Sequence, residues 1–220
     1  ASDIGIDDDR GDVIRVIALE DGTTISAMRQ DGSGLMKKWL INRGETRLET
    51  ALEVATYWES DKPILMGQYG KSYAKVLPPA IQQKGDATQG HPTVESGMPM
   101  LQYIPSVDRW ANYGVFSSPE GMDNFFNIVF KTTDLGNIKV DGRALASAFG
   151  GAMRPLQGTE YSYIRTPIAV GDHVVESVND NVKWAAWTYG SLDGLEQGRA
   201  YGTPITVDLA IACDDSLAVT

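Results

Sequence analysis

An all-β chain of two related β-sandwich units is the architecture this 220-residue sequence predicts. Three observations carry that expectation. Short β-branched runs alternate with turns rich in Gly, Pro, Asn and Asp, in a chain with 23 Gly, 10 Pro and 9 Tyr. Helical spacing fits one stretch only, residues 48–58, and its β-branched side chains argue against a helix there. Strand-and-turn landmarks from the first half also return in the same order in the second, which points to duplication of one β-unit.

Taken in order, Val13-Ile14-Arg15-Val16-Ile17-Ala18-Leu19 reads as a strand, and Glu20-Asp21-Gly22 as a turn. Thr23-Thr24-Ile25-Ser26-Ala27 resumes as a second strand, so the pair is expected to form a hairpin. Trp39-Leu40-Ile41 runs into the turn Asn42-Arg43-Gly44, and residues 45–50 then alternate as a half-exposed strand should. Asp61-Lys62-Pro63 precedes the apolar Ile64-Leu65-Met66. From Lys71 to Pro105 the pattern lapses, with Pro78-Pro79, Gly85, Gly90-His91-Pro92, Gly97 and Pro99 breaking any long element. This stretch is expected to be a long connecting loop. Order returns at Tyr113-Gly114-Val115-Phe116.

The repeat is visible in three places. "DVIRVIALEDGTTISA" near the start is echoed by "NFFNIVFKTTDLGNIKV", each an apolar strand, an acid-and-glycine turn and a second strand. "NRGETRLET" is answered by "LQGTEYSYIRT", and "SDKPILMGQYG" by "VNDNVKWAAWTYG". The offsets are 113 residues from Ile25 to Ile138, 114 from Gly44 to Gly158 and 120 from Tyr69 to Tyr189. That period is too long for a short-repeat solenoid and suits two sandwich modules. The first unit is therefore expected over residues 1–100, with the Gly/Pro-rich connection at 71–105. The second is expected over 101–212, and residues 213–220 would begin a linker or a following domain.

Composition narrows the function. The formal charge is −10, from 29 acidic against 19 basic residues, and the basic ones are scattered. A phosphate backbone would be repelled, so no nucleic-acid partner is expected. No apolar run approaches the roughly 20 residues that span a bilayer, so membrane insertion is not expected either. The single cysteine, Cys213, has no internal partner for a disulfide and either sits buried on a strand or pairs outside this chain.

Chemical motifs are thin. "MGQYGKSY" has the Gly70-Lys71-Ser72 of a phosphate-binding loop, but Leu65 stands where the first glycine belongs. The nest of backbone N–H groups is then lost, and Pro78-Pro79 soon breaks any following helix. The two histidines, His91 in a Gly/Pro-rich loop and His173 at a turn, have no serine elbow or cysteine cluster to work with. A structural role is expected for His173. Asp7-Asp8-Asp9 is a candidate calcium-binding run without the full pattern of oxygen ligands, and a solvated tail is the favoured reading. Arg10-Gly11-Asp12 spells an adhesion tripeptide, directly ahead of a strand. Trp184, Trp187 and Tyr189 share a strand, with Trp184 and Trp187 on opposite faces and Tyr189 on the face of Trp187.

The order of the softer motifs resembles one family, the domain similar to the N-terminal region of IgG Fc-binding protein found in bacterial surface proteins. The likeness runs from "YIPSVDRW", beginning at Tyr103, through "YGVFSSPEGMDNFFNIV" and "GNIKVDG". It continues in "GTEYSYIRTPIAVGDHVVES" and the strand end at Tyr189-Gly190. The first half, from "ALEDGTT" to "DKPILMGQYG", resembles the same family's leading portion. Ala200-Tyr201-Gly202-Thr203-Pro204 partly matches the Tyr-Gly-Tyr-Pro cluster such members place near the end. The resemblance implies an extracellular β-rich module, with no binding residue carried over and no immunoglobulin ligand implied.

The expected function is non-enzymatic: an extracellular or cell-surface module for adhesion, binding a protein or glycan through loops such as 71–105. No catalytic, cofactor or metal residue is assigned, beyond the calcium option at Asp7–Asp9. One alternative is a structural subunit of a surface fibre or sheath that pairs copies of itself by exposed edge strands. The other is a carbohydrate-active hydrolase, which needs two carboxylates about 5–10 Å apart in a cleft.

Overall fold

Alternation of apolar and polar residues builds sixteen strands among the residues that the structure, a computed structural model, describes: 12–29, 34–52, 55–70, 100–191 and 200–205. Each ladder between them is antiparallel. The first unit holds β1 (Asp12–Ala18), β2 (Thr23–Arg29), β3 (Gly34–Ile41), β4 (Thr46–Leu52), β5 (Thr56–Ser60), β6 (Ile64–Gly70) and β7 (Met100–Tyr103). They form two sheets, ordered β4-β1-β6-β7 and β3-β2-β5. Ile14, Val16 and Ala18 of the first sheet meet Ile25 and Ile41 of the second, with Trp39, Trp58, Ile64 and Met66 packed around them. Burying a residue of this kind contributes about 1.5–3 kcal/mol, which is why the alternation decides the sheet's inner face.

The second unit holds β8 (Tyr113–Ser118), β9 (Asp123–Lys131), β10 (Ile138–Val140), β11 (Arg143–Ala144), β12 (Met153–Pro155), β13 (Tyr161–Pro167), β14 (Gly171–Ser177), β15 (Trp184–Ser191) and β16 (Ala200–Pro204). A short helix, α1 (Leu145–Phe149), follows β11. The sheets are ordered β12-β13-β9-β15-β16 and β11-β10-β14-β8. Phe126, Ile128 and Phe130 alternate inward from β9 and pack with Trp184, Ile164, Ile138 and Val175. Phe116 and Phe126 stack across the sandwich with centroids 5.7 Å apart. On the outer face of the same sheet Trp110, Ala185 and Trp187 form a second buried cluster. β15 is thus covered on both sides. Trp184 and Trp187 point to opposite faces, as their spacing implies.

Several expectations are corrected. β1 and β2 do not form a hairpin, because β1 pairs with β4 and β6 while β2 pairs with β3 and β5. The link at Glu20-Asp21-Gly22 is an arch from one sheet to the other, and both strands turn apolar faces into the shared core. The same holds for β9 and β10, joined across the sandwich by a 3-10 turn, Thr132–Asn137. Leu48–Leu52 lies in β4 and Thr56–Trp58 in β5, so the β-branched side chains and tertiary pairing prevail there over a chance helical spacing. His173 lies inside β14, not at its entrance, and is buried. Within the stretch expected to be loop, Met100–Tyr103 forms β7, an edge strand flanked by Pro99 and Pro105. β7 straddles the expected boundary at residue 100 and adds to the first unit's sheet.

The turns at one end of the first unit are laced together. Gly22 N donates to Asn42 Oδ1, Arg43 N to Asp21 Oδ1 and Thr24 N to Asp61 Oδ1. Gly44, with φ of 78°, lets its N–H reach Ala18 O at 2.9 Å. The two units meet where β7 runs alongside β16, and Trp187 Nε1 donates to Tyr103 O at 3.2 Å. Among the described residues no helix is long and apolar enough to cross a membrane.

Candidate binding groove

The strand ends at one pole of the second unit create a shallow groove. β9 leaves the sheet at Lys131, β13 enters it at Tyr161 and β15 enters at Trp184. The 3-10 turns Val107–Arg109 and Thr132–Asn137 close its sides. The resulting space, about 280 Å³, has Trp110 and Tyr161 at its base and Asp108, Asp134, Lys131, Lys183 and Asn181 around it. Trp110 is buried and meets Tyr161 edge to face, with ring centroids 5.1 Å apart.

Charge is arranged around these rings. Lys131 Nζ lies 3.1 Å from Glu160, whose hydrogen bond and negative charge raise the lysine's pKa, so it stays an ammonium. Burial, and then Glu160, raise the pKa of Tyr161, which keeps its phenolic proton as a donor. The pKa of Tyr57 in β5 is raised by burial first and then by the charges of Glu59 and Glu160. Asp108 takes a hydrogen bond from Ser106 Oγ. Asn112 Nδ2 donates to Asp180 Oδ1 at 2.6 Å, holding the 180s turn against the wall. Lys183 is half-exposed and has no acidic partner among the described residues. The groove therefore offers, in Lys183, a cation without an acidic partner among the described residues, and carboxylate acceptors beside aromatic edges. That set can hold a polar or acidic side chain, or sugar hydroxyls, in one orientation.

Two other polar sites are structural. His173 Nδ1 and Asp141 Oδ2 are 2.8 Å apart, His173 Nε2 faces Ala169 O at 2.8 Å, and the ring stacks on Phe116. Asp141 sits at φ of 52° in the Asp-Gly turn between β10 and β11, and its Oδ1 accepts from Val174 N. It pins that hairpin to β14. At the opposite end, Tyr201 OH donates to Asn124 Oδ1 at 2.8 Å and lies 3.0 Å from Thr188 Oγ1. Gly190 leaves the space for the Tyr201 ring, because a Cβ there would stand 2.6 Å from its Cε1. The Tyr-Gly strand end singled out in the sequence is therefore a packing device.

The remaining sequence candidates divide cleanly. Asp7, Asp8, Asp9, Arg10, Gly11, His91, Lys71, Ser72 and Cys213 lie outside the described residues, as do residues 71–99 and 206–220. Among the described residues, no cluster of His, Cys, Asp and Glu could hold a metal ion. Gly70 ends strand β6. Tyr189 stacks on Phe125 at 5.3 Å, with the Arg165 guanidinium 5.8 Å from both rings. The groove itself is assembled from positions up to about 75 residues apart in the chain, and no motif marks them as one site. Val107, Asp108 and Trp110 stand in "YIPSVDRW", Lys131 and Asp134 in "VFKTTDLGN", Tyr161 in "GTEYSY" and Lys183 in "NDNVKW", but those patterns read as strands and turns, not as a site.

Comparison with known proteins gives one result. The family model for IgGFc binding protein matches residues 4–190, a span from ahead of β1 to Gly190 of β15 that includes the groove. No curated protein and no solved structure matches. A model that covers most of the chain, over strands that pair in two successive sandwiches, settles its relationship: this chain belongs to the IgGFc binding protein family.

Proposed function

We propose that the chain is a non-enzymatic extracellular module that binds a protein partner at a surface, in an adhesive role. The family match carries this reading, since the family is described by binding to the Fc part of immunoglobulin. That ligand belongs to the family's name, and the partner of this chain is proposed only as a protein with an acidic or polar contact segment. The groove supplies the contact chemistry: Lys183 for a carboxylate, Tyr161 and Trp110 for the apolar part of the same side chain. A rigid sandwich that presents turns at one pole suits recognition. The test is an array of surface proteins and glycans probed with the purified chain, alongside Lys183→Glu. Capture of a protein by the wild type, weakened about tenfold or more in the variant, supports the reading. Silence across the protein array at high concentration would remove it, and signal on glycans alone would move the partner class to carbohydrate.

We also infer that the two units arose by duplication. Three features support it. The order β4-β1-β6-β7 has the order of β13-β9-β15-β16, and β3-β2-β5 that of β11-β10-β14. Ile25 pairs with Ser60 as Ile138 pairs with Ser177. Tyr69 faces Val13 as Tyr189 faces Phe125, each at its sheet's centre.

A further inference from the structure

The terminal strands of the four sheets differ in how they deal with an open edge. An unpaired row of N–H and C=O groups invites another strand, and proteins blunt it with charge, proline, shortness or cover. β3 carries Lys37-Lys38, β4 carries Arg47 and Glu49, and β5 carries Glu59. β12 ends in Arg154-Pro155 and β11 is two residues long. β7 and β16 lie alongside each other. β8, Tyr-Gly-Val-Phe-Ser-Ser, has six residues with neither charge nor proline, and a strand pairs with it on one side only.

The hydrogen-bond phase of β8 fixes what its free side offers. Ser177 N donates to Asn112 O, and Glu176 stands opposite Tyr113. In an antiparallel ladder this makes Gly114 and Phe116 the residues bonded to β14. The backbone groups of Tyr113, Val115 and Ser117 point away, and no described strand meets them. The side chains of Tyr113 and Val115 are 56% and 58% exposed, on the outer face of the sheet.

We propose that β8 is a self-association edge whose occupant is β8 of a second copy, antiparallel across a two-fold axis at Val115. In that register Val115 faces Val115 and Tyr113 faces Ser117, so each outward N–H meets an outward C=O. The strand is its own complement, and a two-fold pair closes without leaving an end to grow. β8 itself carries no charged side chain to oppose the pairing, although Asp172 and Glu176 of β14 stand opposite Ser117 and Tyr113. One added strand pair buries less than the roughly 1,200–2,000 Å² of a stable interface, so the dimer dissociates on dilution. This inference is independent of the groove at the other sheet.

Sedimentation velocity over a wide concentration range tests it. The wild-type mass is expected to rise toward twice the monomer with concentration, and Val115→Pro and Val115→Lys are expected to remain monomeric. Proline at 115 removes an N–H that β14 does not use, and lysine sets two cations face to face. Val178→Lys, at a residue 50% exposed outside β8, is expected to dimerise like the wild type. Thermal melts confirm that each variant is folded, and the second β8 variant serves if one is not. A wild type that stays monomeric to its highest soluble concentration overturns the proposal. A dimer that persists in folded Val115→Lys overturns it equally.

Discussion

Gly190 shows how one missing methyl shapes this protein. A Cβ there would meet Tyr201 Cε1 at 2.6 Å, Asn124 Oδ1 at 2.8 Å and the backbone oxygen of Asp123 at 2.9 Å. Flexible side-chain ends could yield, but the backbone oxygen and a ring held by two polar contacts cannot do so cheaply. Gly190→Ala is therefore expected to cost about 1–3 kcal/mol by overpacking. Gly136, with open space around it and no positive φ, is the control, and Gly136→Ala is expected within about 0.5 kcal/mol of the wild type. Thermal melts read the difference, at about 2–4 °C per kcal/mol for a chain of this size. Equal melting temperatures would mean that the Tyr201 ring does not depend on Gly190.

Among elements, the arch is the unit that repeats. β1 to β2, β3 to β4 and β9 to β10 each carry the chain across a sandwich instead of back along one sheet. In the first unit the arches are tied by side chains at their turns, with Asp61 Oδ1 accepting from Thr24 N at 2.8 Å. Asp61→Ala is expected to lower stability by about 0.5–1.5 kcal/mol, the usual worth of such a bond, in chemical denaturation. An unchanged midpoint would show that water replaces the carboxylate at no cost. This is also where the sequence was legible and where it was not. Alternation in Asp123–Lys131 shows a strand and its inner face directly, because one face must be apolar. Whether the next strand returns in the same sheet depends on partners far along the chain, and Glu20-Asp21-Gly22 reads the same for a hairpin or an arch. The helix α1 escaped because five residues cannot display a helical period. The groove escaped because Trp110, Lys131, Tyr161 and Lys183 converge only after the sheet has formed.

On the scale of the whole molecule, two sandwiches of matching strand order meet at β7 and β16, with Trp187 bonded to the backbone of Tyr103. The second sandwich carries two distinct surfaces, a groove at the pole near Tyr161 and an open edge at β8. The proposed binding role places the partner in the groove. Hydrogen exchange of the chain, alone and saturated with a protein captured from the array, tests that assignment most directly. Slowed exchange is predicted in Val107–Arg109, in Thr132–Asn137 and at residues 181–183, with β8 unchanged. Full occupancy by the partner with those turns exchanging as before, and protection lying elsewhere, would contradict it.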